Sequence, residues 1–100
     1  MKKFKLVKYW FDTQYKKLRY ATVFDTDYPT KEQAKSVATT YLESEEDYFP
    51  LVPLYAVAEE TIAGNHTEIK MEFLTKEPSP DIKKLITDFT TTTNMNLNFI

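Results

Sequence analysis

The chain has no cysteine, one glycine, one histidine and one tryptophan. Without cysteine there is no disulfide framework, no thiolate zinc site and no cysteine nucleophile, so stability has to come from packing. The lone Gly64 excludes both common glycine-rich phosphate loops, and the lone His66 excludes a histidine metal cluster. Long apolar runs are also missing. The longest, Leu51 to Ala58, is interrupted by Pro53, whereas a membrane-spanning helix needs about 20 apolar residues. Met1-Lys2-Lys3 resembles the start of a secretory leader, but Lys5, Lys8 and Asp12 break the apolar stretch that a leader requires. The expected compartment is the cytoplasm.

What is present suffices for one core. Of the 100 residues, 42% are hydrophobic and 15% aromatic, which fits a single α+β domain over residues 1–100. Abundant Lys, Asn, Phe, Tyr and Ile suggest an A/T-rich gene, as in many bacteria and their phages.

Periodicity sets out the elements. Phe4 to Phe11 places Phe4, Leu6 and Trp10 on one side and Val7, Tyr9 and Phe11 on the other, a strand that is apolar on both faces. Leu18 to Phe24 alternates as a second strand. The link at 12–16 lacks glycine, so a four- or five-residue loop is expected in place of a tight primed turn. Thr30 then stands three residues before Gln33, the spacing of a capping box. Ala34, Val37, Ala38, Tyr41 and Leu42 follow as one helical stripe ending near Glu43.

Pro50 and Pro53 argue against a central strand before about Leu54. A third strand is expected over 54–62, a turn at Gly64-Asn65, and a fourth strand over 69–74. Ser79-Pro80 has the form of an N-cap and first-turn proline, and Ile82, Leu85, Ile86 and Phe89 make a second helical stripe. The run Thr90–Thr93 should end that helix, because consecutive β-branched residues resist helix formation. Met95, Leu97 and Phe99 alternate with asparagines as a last short strand. The order is ββαββαβ, resembling two ββα halves. The expected fold is an α+β antiparallel sheet of four to five strands with both helices packed on one face.

Charge is the most informative functional feature. Residues 1–24 carry seven basic and one acidic side chain, and residues 25–68 carry two basic and ten acidic, within a net charge of −2. The acidic stretch Glu43, Glu45, Glu46 and Asp47, running into Tyr48 and Phe49, suits contact with a basic protein partner. It also sits where the negative end of a helix dipole disfavours it. These six residues are the leading candidates, in a small non-enzymatic protein that binds another macromolecule. The alternative is a single-stranded nucleic-acid binder. It would use Lys3, Lys5, Lys8, Lys16, Lys17 and Arg19 against phosphate, with the Tyr15 ring stacking on a base.

A third reading, a metal-dependent hydrolase, rests on Asp25 and Asp27, two carboxylates in a turn that could hold Mg²⁺. His66 beside Glu68 offers an acid–base pair with no nucleophile tied to it. No cofactor motif is present, and an enzyme is the less favoured class. The apolar C-terminal strand, whose asparagines carry no charge to discourage edge pairing, either closes its own sheet or joins two copies into a homodimer.

Overall fold

The computed structural model describes residues 2–46 and 50–100. Five strands and two helices follow in the expected order: β1 (Lys2–Asp12), β2 (Lys17–Val23), α1 (Lys31–Ser44), β3 (Leu51–Ala63), β4 (His66–Thr75), α2 (Pro80–Thr92) and β5 (Asn96–Phe99). The strands form one sheet in the order β2-β1-β3-β4-β5. The first four pair antiparallel, but β5 lies parallel to β4, with Phe73 opposite Leu97 and Thr75 opposite Phe99. The sheet is therefore mixed, a correction to the antiparallel expectation. A strand that returns beside its predecessor through a helix arrives pointing the same way.

The helices lie on opposite faces of this sheet, not together on one. Residues opposite each other on paired strands share a face. Phe4, Leu6, Tyr55, Val57 and Leu74 pack under Ala34, Ala38 and Leu42 of α1. Their alternate neighbours Val7, Phe11, Val52, Leu54, Ala56 and Phe73 pack under Ile86 of α2, with Ile82, Leu85 and Phe89 alongside. The topology accounts for this. β2 and β3 run one way and β4 and β5 the other, while both crossovers step in the same direction along the sheet. Two crossovers of the same hand must then take opposite faces, and right-handed crossovers are the strong rule. β1 and β3 are consequently covered on both sides, which is why their apolar residues do not alternate with polar ones.

Local chemistry explains the boundaries. The Thr30 hydroxyl accepts the Gln33 N–H at 3.2 Å and starts α1. Gly64, at φ +63, opens the two-residue turn between Ala63 and His66, where a positive φ at the first position suits glycine. The β1–β2 loop spans the four residues 13–16 and is held by Asp12, whose Oδ1 accepts the Gln14 and Tyr15 N–H groups at 2.9 and 3.1 Å.

Two boundaries differ from expectation. β3 begins at Leu51 and runs through Pro53, because pairing with β4 starts only at Tyr55. Pro53 therefore has only β1 as a ladder neighbour, and its carbonyl accepts the Thr75 hydroxyl at 3.0 Å. α2 continues to Thr92. Thr90 is buried, and its hydroxyl bonds the Ile86 carbonyl at 3.0 Å, replacing the solvent contact that a threonine run otherwise seeks. The helix stops at Asn94, at φ +57. The Asn94 N–H then bonds to the Thr91 carbonyl and the Met95 N–H to that of Thr90, the paired bonds of a Schellman ending.

Candidate functional site

Part of the charge segregation of the sequence is consumed by the fold. β1 lays three of its four lysines against the acidic middle of the chain: Lys2 on Glu59 at 3.1 Å, Lys5 on Asp27 at 3.6 Å and Lys8 on Glu45 at 2.5 Å. Arg19 reaches the buried Asp12 at 2.8 Å. Lys31 and Lys35, the two lysines of α1, meet on Glu72 of β4 at 2.8 and 3.0 Å. Glu72 was not among the candidate residues. Its place opposite Val57, an apolar residue of a central strand, is visible only once β3 and β4 are in register.

Glu45 has the most committed environment of the acidic candidates. One of its oxygens, Oε1, accepts both the Lys8 ammonium and the Tyr55 hydroxyl, the latter at 2.8 Å, and its carbonyl accepts Lys76 at 3.0 Å. Partial burial raises its carboxyl pKa, but the hydrogen bonds from Lys8 and Tyr55 and the charges of Lys8 and Lys76 prevail and hold it below the ordinary value. Burial, followed by the same hydrogen bond, pushes the Tyr55 phenol up. Glu72 behaves like Glu45, with burial raising its pKa and the two lysines lowering it further. Glu43 and Glu46 are exposed. Asp47, Tyr48 and Phe49 lie outside the described residues.

The N-terminal hairpin divides its aromatics between the two readings. Phe11 is fully buried and stacks obliquely on Phe89, while Tyr9 sits half-buried against Phe73. Trp10 is half-buried, with the Lys8 ammonium 4.3 Å above its ring. Tyr15 and Tyr20 point outward, 67% and 66% exposed. Tyr20 occupies a left-handed conformation, φ +54, beside the register break that separates Lys8 from Trp10. The Arg19 guanidinium lies 5.1 Å from the Tyr15 ring centre and the Lys17 ammonium 5.8 Å. Lys16 and Lys17 are exposed and Lys3 half-exposed, and among the described residues none of the three forms an ion pair.

The remaining candidates are dispersed. Asp25 and Asp27 are exposed in the segment before α1, and Asp27 is engaged by Lys5. His66 and Glu68 are exposed near the start of β4. No group of three or more potential metal-ligating side chains occurs among the described residues, and no helix among them is long and apolar enough to cross a membrane. The C-terminal strand closes its own sheet as β5. No protein-family model, curated protein or solved structure matches the chain.

Proposed function

We propose that this chain is a small non-enzymatic protein that works by binding another protein. The contact surface is the edge strand β2 and its turn, flanked by Glu43 and Glu46 at the end of α1. The observation that carries the reading is the exposure of Tyr15 and Tyr20 on a sheet edge. Tyrosines this exposed add little to core packing, and Tyr20 also holds a backbone conformation unfavourable to a bulky side chain. Tyrosine with arginine is the composition of protein-interface hot spots.

Glu45 acts in this reading as a tether. It fastens the acidic segment to Lys8 of β1, which is itself paired to Thr22 of β2. The exposed Glu43 and Glu46 complete the surface on that side. The C-cap carbonyl of α1, that of Glu45, is already met by Lys76, so a basic group on the partner faces the exposed Glu43 and Glu46. The compartment we assign is the cytoplasm of a bacterium, or of one carrying a phage.

The test is affinity capture with the full chain and with two double variants, Y15A/Y20G and E43K/E46K. Each pair should abolish capture of a shared partner while leaving the fold intact by circular dichroism. Capture unchanged by both pairs removes this surface.

A second reading keeps the same hairpin but gives it single-stranded nucleic acid. The unpaired Lys3, Lys16 and Lys17 beside an exposed Tyr15 favour it, while the Arg19 group already over that ring and the pairing of Lys5, Lys8 and Arg19 disfavour it. A mixed-charge surface on a chain of net charge −2 is poorly suited to gather a polyanion. Oligonucleotide affinity that falls steeply as salt rises would transfer the assignment to this reading.

A further inference from the structure

β4 is longer than the strand beside it. It pairs with β3 along His66–Leu74, but β5 covers only Glu72–Thr75 of its other side. The segment from His66 to Met71 therefore forms a second open edge, bounded by the Gly64-Asn65 turn at one end and by Asn96 of β5 at the other. It carries Ile69, 59% exposed, between the exposed charges of Glu68 and Lys70.

The direction of its main-chain groups follows from β5. The Thr75 carbonyl points toward β5, where it accepts the Ile100 N–H at 2.9 Å. Along a strand this direction repeats every second residue. Thr67, Ile69 and Met71 thus aim their N–H and C=O groups out of the sheet, while Glu68 and Lys70 aim theirs at β3.

We propose that this edge is a homodimer interface in which β4 of one copy pairs antiparallel with β4 of a second around a two-fold axis at Ile69. The outward groups allow only registers that match odd residues with odd ones. Centring on Glu68 sets two glutamates face to face, and centring on Lys70 sets two lysines face to face, arrangements that cross-strand pairing disfavours. Centring on Ile69 sets Glu68 opposite the partner's Lys70 twice, brings the two Ile69 side chains together, and matches Thr67 with the partner's Met71. This register supplies roughly six main-chain hydrogen bonds. The pairing covers Thr67–Met71 and stops before Glu72, whose outer side Asn96 of β5 already occupies. The interface is short, so the dimer is weak and forms only at high protein concentration.

Sedimentation velocity from about 10 µM to about 1 mM reads the dimer directly, with affinities converted in the usual way. The chain should shift from monomer to dimer over that range. Glu68→Lys and Lys70→Glu should each weaken self-association roughly tenfold, because each places like charges opposite one another. An equimolar mixture of the two variants should dimerise again, since every such pair is then opposite in sign. Ile69→Pro removes an N–H that points away from β3, so it should abolish the dimer while leaving the monomer folded. A wild-type chain that stays monomeric at about 1 mM overturns the proposal. So does a dimer that all three variants leave unchanged, or a mixture that fails to restore association while both variants remain folded.

Discussion

Tyr55 of β3 donates its hydroxyl hydrogen to Glu45 at 2.8 Å, tying the residue just past α1 to the centre of the sheet beneath it. The same carboxylate oxygen holds Lys8 of β1. Glu45→Gln should therefore destabilise the protein by about 1–3 kcal/mol, because Lys8 loses its counter-charge in a site where both side chains are partly buried. Tyr55→Phe should cost about 1 kcal/mol. The double variant should cost less than the two together, since both changes act on one oxygen. Urea denaturation of the four proteins checks this.

Acid should unfold the protein through the same group. Glu45 and Glu72 both titrate below their ordinary value of 4.5 in the folded state. The folded chain thus releases these protons more readily than the unfolded one. The resulting stabilisation is present above about pH 4.5 and is lost as pH falls through the depressed values. Thermal melts between pH 7 and 3 should be flat and then decline, with a shallower decline for Glu72→Gln. At the alkaline end the sign reverses. The raised pKa of Tyr55 means that the unfolded chain ionises first, so stability should fall once pH exceeds the ordinary phenol value of 10.0.

The two-faced sheet makes a prediction about additivity. Leu42→Ala and Ile86→Ala each empty a fully buried site, one under each helix, and each should cost about 2–5 kcal/mol. Because the sheet separates the sites, the double variant should equal the sum within about 0.5 kcal/mol. Strong coupling in denaturant titrations would contradict the separation of the two cores.

Two positive-φ positions should respond differently. No neighbouring atom lies within 4 Å of where a Cβ would stand on Gly64, so Gly64→Ala meets backbone strain alone and should lose about 1–2 kcal/mol. Tyr20→Gly relieves similar strain while adding chain entropy, so stability should move by less than about 1 kcal/mol. Partner capture should nonetheless weaken. Melting curves paired with capture separate these outcomes.

Short-range pattern was sufficient for much of the fold. The stripes at 34–42 and 82–89, the Thr30 cap, the glycine turn and the element order ββαββαβ all depend on residues within a few positions of each other, and all are observed. The apolar residues on both sides of β1 already implied cover on both faces, a hint at odds with two helices on one side. The departures at Pro53 and Thr90 have a common origin: each residue is tolerated because of a neighbour distant in sequence, or because of burial that the pattern does not disclose.

The candidate site was legible only in its ingredients. Sequence alone placed lysines early, acids in the middle and tyrosines in the first hairpin. It could not indicate that Lys8 would spend its charge on Glu45 while Lys16 and Lys17 kept theirs, or that Phe11 would turn inward and Tyr15 outward. Local periodicity determined which segments became helices and strands, because hydrogen bonding and side-chain direction repeat over two to four residues. The direction of β5, the face taken by each helix and the pairing of the charges were decided by tertiary structure, because crossover handedness and strand register act between residues far apart along the chain.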